Sequence, residues 1–109
     1  MGHSSQIITD TRMNIKIGII GLGYVGLPLA VEFSKKYITV GYDISNVRVE
    51  EINKHEDSTN EISSGVLKKL VKIDNKNKYE KGLYITSDYN KLTICNFYII
   101  TVPTPTDLN

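Results

Sequence analysis

Apolar positions along the chain gather in short clusters, and their spacing changes from one cluster to the next. Ile15, Ile17, Ile19 and Ile20 surround Gly18 in a β-branched run that stops at Gly21, which predicts a buried strand. Over 27–36 the spacing widens. Leu29 and Phe33 stand four apart, which predicts a helix whose Lys35 and Lys36 suit its C-terminal dipole. Pro28 fits such a helix only in its first turn. Residues 39–42 read as a second strand, and Ser45 as the N-cap of a helix reaching about Lys54. After a polar stretch over 55–60, Ser63 or Ser64 caps a further helix. Its stripe is Leu67, Leu70 and Val71, and its wet face is Lys68, Lys69 and Lys72. A charged loop covers 74–81 and a third strand 83–86. Ser87 and Asp88 start a helical turn. The most apolar strand spans 96–102 and runs into Pro103, Thr104 and Pro105.

Strands alternating with helices imply a parallel sheet with right-handed crossovers. The expected fold class is α/β: a Rossmann-like doubly wound parallel sheet in the order 3-2-1-4, truncated after the fourth strand. Residues 1–14 read as a leader or an appended segment, with Met13 an alternative start, and 15–109 as one partial domain. The fourth strand is then an apolar edge, which invites self-association.

Charge and composition narrow the function. Thirteen basic against 12 acidic residues leave a net charge of +1, too even to gather a polyanion, and so no nucleic-acid partner is expected. The 7 tyrosines are scattered and form no stacking platform. His3 and His55 lack partners at ligand spacing, so no metal site is expected. No apolar run approaches the roughly 20 residues of a membrane span. A single cysteine, Cys95, cannot staple the chain and suits a reducing, cytoplasmic setting.

The chemistry sits in Gly21-Leu22-Gly23-Tyr24-Val25-Gly26, a G-x-G-x-x-G string. Alone the string is a common turn. Here a strand precedes it, a helix follows it, and an acid lies at the end of the next strand. Gly21 permits the tight turn, Gly23 lets a pyrophosphate reach the backbone, and Gly26 lets the helix pack closely on the sheet. The helix start then offers its N–H groups and dipole to the phosphates. Asp43, 20 residues after Gly23, is placed to accept from ribose hydroxyls and to repel a 2′-phosphate, which favours NAD over NADP. The competing reading of Asp43 is a turn or helix-capping aspartate. Arg48 has two readings as well: a group reaching the ribose or a phosphate, or a solvated helix arginine.

The block from Ile17 to Ala30, with Gly-Tyr-Val-Gly-Leu-Pro at its centre, resembles the opening of the UDP-glucose/GDP-mannose dehydrogenases. Val40-Gly41-Tyr42-Asp43, followed by Arg48, is similar to that family's ribose-binding segment. The run from Cys95 to Pro105 is similar to its fourth strand and following loop. The wording around Val31-Glu32-Phe33 and Thr101-Val102-Pro103-Thr104-Pro105 looks most like members acting on UDP-N-acetylhexosamines for surface-polysaccharide biosynthesis.

The resemblance implies an NAD-binding domain of a nucleotide-sugar 6-dehydrogenase, an oxidoreductase. Such an enzyme oxidises the C6 alcohol of a UDP-sugar to a carboxylate in two NAD-linked steps through a cysteine thiohemiacetal and thioester. Cys95 does not match that cysteine. The roles that carry over concern NAD alone: Gly21, Leu22, Gly23, Tyr24, Val25, Gly26, Asp43, Arg48, Val102, Pro103, Thr104, Pro105 and Thr106. The UDP-sugar belongs to the full-length enzyme, and this stretch alone is expected to be inactive. A different class stays open on the residues alone: a non-catalytic NAD or nucleotide-binding module acting through a partner.

Overall fold

The computed structural model describes residues 14–73 and 79–102. In chain order the elements are β1 (Lys16–Ile20), α1 (Gly26–Ser34), β2 (Ile38–Tyr42), α2 (Asn46–Asn53), α3 (Ser64–Leu70), β3 (Gly82–Thr86), a 3-10 helix (Tyr89–Ile94) and β4 (Phe97–Ile100). All strand pairs are parallel and the sheet order is β3-β2-β1-β4, as the alternation of the sequence implies.

The connections from β1 to β2 and from β2 to β3 step in one direction, so right-handed crossovers put α1, α2 and α3 on one face. The main core lies there. Ile17, Ile19, Leu83 and Ile85 from the strands meet Leu27, Ala30, Val31, Val49, Ile52 and Leu67 from the helices. Residues 27, 30, 31 and 34 of α1 are all buried, which is the period of a helix lying on a sheet. Ser34 is buried without cost, because its hydroxyl donates to Val31 O at 2.8 Å. The step from β3 to β4 reverses direction and crosses the opposite face. The 3-10 helix lies on that face, where Val40, Tyr84, Leu92 and Cys95 form a second cluster.

Local signals act as expected at the helix starts. The Ser45 hydroxyl accepts from Arg48 N at 3.1 Å and the Ser63 hydroxyl from Val66 N at 3.3 Å, so Ser63 is the cap of α3. Asp88 caps the 3-10 helix through Asn90 N at 3.0 Å. In the expected stripe of α3, Leu67 is fully buried, while Leu70 and Val71 are half-buried. Val71 has already left the helix and bridges to Leu83. The loop expected over 74–81 lies partly outside the described residues.

The fourth strand is shorter than the expected 96–102. Asn96 is diverted into a corner: its Oδ1 accepts from Lys16 N at 3.0 Å and its Nδ2 donates to Asn14 O at 2.8 Å. Its apolar residues are also less buried than the pattern suggests, with Phe97 and Ile100 exposed, because the strand has a single neighbour in the described sheet. The Tyr98 ring still packs inward, over Gly18, where a Cβ would lie 2.9 Å from Cδ1 of the ring.

Ile52 is fully buried in the main core. Ile52→Ala is expected to cost about 2–5 kcal/mol in urea unfolding, since the sheet beneath it cannot collapse into the cavity.

Candidate functional site

The registers bring Ile20, Tyr42, Thr86 and Ile100 into one row at the carboxyl ends of the strands. The residues one step further, Gly21, Asp43 and Thr101, therefore meet where β1 lies between β2 and β4. The chain departs to opposite sides of the sheet at this point, which opens a crevice of the kind that holds ligands in such sheets.

Gly21 stands at φ +103°, a left-handed conformation that a side chain disfavours. A Cβ there would also lie 2.5 Å from Thr101 O. Gly21 N donates to Tyr42 O at 2.8 Å, and Gly21 O accepts from the Thr101 hydroxyl at 2.9 Å. Leu22 buries its side chain completely and has both backbone groups engaged. Its N–H donates to Asp43 Oδ2 at 2.9 Å, and its carbonyl accepts from Arg48 Nε at 2.7 Å. Gly26 has a reason beyond packing on the sheet. A Cβ there would lie 1.7 Å from Gly21 O, so the first turn of α1 presses on the carbonyl of its own loop.

Gly23 is different: beyond its chain neighbours, no heavy atom of the described residues lies within 4 Å of the place a Cβ would occupy. No hydrogen bond runs from the backbone N–H of Gly23, Tyr24 or Val25 to another described residue, and the N-cap of α1, Val25, makes no side-chain cap. Three donors unpartnered among the described residues, at a helix start without a side-chain cap, suit the phosphates of a dinucleotide. The Tyr24 and Val25 side chains are exposed beside them.

Asp43 serves the loop and its own turn together. Oδ2 takes Leu22 N–H, and Oδ1 takes Ser45 N–H at 2.9 Å. Each carboxylate oxygen keeps a second lone pair that can accept from a further donor. The turn reading and the ribose reading are compatible in one side chain.

Arg48 is not the solvated helix arginine that one reading allowed. Its side chain is 12% exposed. Nε holds Leu22 O, and Nη1 meets Glu51 Oε2 at 2.7 Å and Asp57 Oδ1 at 2.8 Å. Asp57 is the hub beneath it, with no exposed side-chain surface. Its Oδ1 also accepts from Thr59 N at 3.0 Å and from the Thr59 hydroxyl at 2.6 Å. Its Oδ2 accepts from Glu61 N and Ile62 N, each at 2.9 Å. Burial pushes the Asp57 carboxyl up. The Thr59 hydroxyl, the Ile62 amide, Arg48 and the Thr59 amide outweigh burial and hold it at about 2. Glu51 is lowered chiefly by its bond from Ser58 N–H, against the upward push of burial.

Val102 is exposed at the carboxyl end of β4, while Pro103, Thr104, Pro105 and Thr106 lie outside the described residues. Cys95 is a small core residue: 7% exposed, with burial pushing its thiol up to about 11. A thiol held neutral in this way is a poor nucleophile. Two contributors were missed in the sequence. Thr101 carried a signal, a hydroxyl closing an apolar strand beside the glycine loop. Asp57 carried only the mark of a turn, Asp-Ser-Thr, inside a stretch read as merely polar.

Comparison with known proteins agrees with this geometry. The family model described as "UDP-glucose/GDP-mannose dehydrogenase family, NAD binding domain" matches residues 15–109. A UDP-N-acetyl-D-glucosamine 6-dehydrogenase of Pseudomonas aeruginosa is 43% identical over 94 residues, covering 86% of this chain and 20% of that protein. One of Salmonella typhi is 45% identical over 91 residues, covering 84% and 19% respectively. Protein CapL of Staphylococcus aureus is 41% identical over 95 residues, covering 87% and 20%. The chain thus spans about a fifth of the length of these relatives.

The depressed Asp57 carboxyl gives a signed acid dependence. Its contribution is fully present above the ordinary value of 3.8 and is lost as pH falls through about 2. That portion amounts to about 2 kcal/mol. Urea titrations from about pH 5 down to about pH 2 should show it in the native chain and not in Asp57→Asn.

Proposed function

The chain belongs to the UDP-glucose/GDP-mannose dehydrogenase family, whose NAD-binding domain it carries, and we propose that it is the cofactor-holding portion of a nucleotide-sugar 6-dehydrogenase. The observation that carries this reading is the uncrowded Gly23, with the backbone N–H groups of Gly23, Tyr24 and Val25 unpartnered among the described residues and the Asp43 carboxylate bound to the adjacent Leu22 N–H. The names of the two 6-dehydrogenase relatives support a UDP-N-acetylhexosamine as the sugar of the full-length enzyme. The reaction is then oxidation of its C6 alcohol to a carboxylate with two NAD, within polysaccharide biosynthesis.

The roles follow from position. The N–H groups of Gly23, Tyr24 and Val25 receive the pyrophosphate, with the α1 dipole favouring the negative charge. Asp43 accepts from the adenosine ribose hydroxyls and disfavours a 2′-phosphate. Gly21, Leu22 and Gly26 shape the loop. Val102, with Pro103, Thr104, Pro105 and Thr106 after it, leads from the end of β4 toward the nicotinamide half. NAD, when bound, supplies the hydride acceptor. Cys95 takes no part in the chemistry, since it lies in the core under the 3-10 helix.

The setting proposed is the cytoplasm, where a lone cysteine stays reduced. Among the described residues no helix is long and apolar enough to cross a membrane. The exposed Phe97 and Ile100 of β4 make self-pairing of that edge the association proposed for this chain. Sedimentation at rising concentration should show dimers, and a strictly monomeric profile would remove that proposal.

Calorimetric titration tests the main reading. NAD should bind more tightly than NADP, and Asp43→Ala should weaken NAD by about tenfold or more, the scale of a charge-assisted hydrogen bond. A well-folded chain that binds neither dinucleotide would sink the reading. Cys95→Ala should leave NAD affinity unchanged.

A further inference from the structure

One residue of β4's end, Thr101, reaches into the space that two glycines of the string leave empty. A Cβ on Gly21 would lie 2.5 Å from Thr101 O and 2.7 Å from its Oγ1, and a Cβ on Gly26 would lie 2.8 Å from the same Oγ1. Gly21 and Gly26 thus make room for a side chain from another strand as well as for their own turn. The hydroxyl in that space donates to Gly21 O at 2.9 Å and lies 3.3 Å from Ile20 O, while Thr101 N donates to Ile20 O at 2.9 Å.

Gly21 O and Leu22 N–H belong to one planar peptide unit, so whatever orients the carbonyl orients the N–H on its far side. That N–H donates to Asp43 Oδ2 at 2.9 Å. Thr101, the Gly21–Leu22 peptide and Asp43 therefore form a chain of two hydrogen bonds that spans β4, β1 and β2. The peptide needs such a tie, because it follows a residue without a side chain at φ +103°, where the backbone is least restricted. A donor on the carbonyl also polarises the unit and strengthens its N–H toward the carboxylate.

We propose that Thr101 is a positioning residue for the adenosine end of the cofactor: its hydroxyl sets the Gly21–Leu22 peptide, and the peptide sets the Asp43 carboxylate. The effect crosses the sheet, from the strand that leads toward the nicotinamide half to the acid that meets the ribose. The inference rests on the NAD reading of this site. Preference for NAD over NADP then depends on a hydroxyl two strands away from the acid that expresses it. Valine copies the shape of threonine and lacks the donor, whereas serine keeps the donor on a smaller side chain.

The test is calorimetry with NAD and NADP, together with amide NMR, on the unmutated chain, Thr101→Val, Thr101→Ser, Asp43→Ala and the double variant of Thr101→Val with Asp43→Ala. In Thr101→Val the Leu22 amide resonance should move before any ligand is added, while amides in the middle of β1 and β2 stay in place. NAD affinity should fall about fivefold, the scale of one neutral hydrogen bond, and NADP affinity should fall less, so that the ratio between them narrows. Thr101→Ser should stay within about twofold of the unmutated chain. In the Asp43→Ala background the threonine change should cost nothing further, because the group it acts through is gone. Equal losses for NAD and NADP, or an undiminished loss in the Asp43→Ala background, would mean that Thr101 meets the ligand itself or only supports its strand, and would overturn the proposal. So would full NAD affinity in Thr101→Val. Should Thr101→Val not fold, Thr101→Ala, which adds no bulk, takes its place in every comparison. Absence of NAD binding by the folded, unmutated chain would remove the cofactor reading and this inference with it. NAD binding together with any of the overturning results would remove the inference alone.

Discussion

The hydrogen bond from Leu22 N–H to the Asp43 carboxylate is the constraint on which the site depends. It joins the ends of two neighbouring strands across 21 residues of chain. Around it the loop's polar groups divide into two sets. Those of Gly21 and Leu22 are all spent on scaffold, on Tyr42, Thr101, Asp43 and Arg48. Those of the next three N–H groups are spent on nothing in the described protein. Buried polar groups need partners, and exposed ones at a helix start have water or a ligand. The boundary between the two sets, at the Leu22–Gly23 peptide, is the boundary between structure and site.

The sheet order and the helix positions were legible because each rests on local chemistry. The β-branched run before Gly21 read as a strand, and Ser45 and Ser63 sat where helix starts needed an acceptor, whereas Leu29 and Phe33, which marked the first helix, are half-buried and its buried stripe is 27, 30, 31 and 34. Asp43 was legible through its distance from Gly23. Arg48 was half legible. Its spacing from Asp43 marked it as part of the site, but its burial depends on Asp57 and Glu51 folding beneath it, and spacing carries no trace of that meeting. Asp57 was illegible for the same reason. Its five acceptor contacts come from a turn closing on itself and from an arginine of the preceding helix. The edges of β4 were misjudged because hydropathy marks what a strand prefers, whereas its actual ends were set by the Asn96 side chain reaching Lys16 and Asn14.

The sheet is dressed unevenly, and the unevenness follows from its order. Three helices lie over one face, and a single 3-10 helix packs on the other within the described residues. Gly18 answers this asymmetry. It gives up its side chain on the thinly covered face, where the Tyr98 ring and Leu92 fill the space. The Tyr98 hydroxyl then closes the corner by donating to Leu92 O and Cys95 O at 2.7 and 2.8 Å.

Thr101 gives the fold a temporal order. Its hydroxyl contacts Ile20 O and Gly21 O across about 80 residues, the longest reach among the site's contacts. Closing a loop of that length costs about 4 kcal/mol in chain entropy beyond a constant, so the local helices and the β1–β2 pair are expected to form ahead of it. On a ribosome, where the chain emerges from its N-terminus, the glycine string is made early and waits through most of the domain for its last strap. A nascent chain short of β4 therefore carries the glycine string without the Thr101 contacts that hold its first residue.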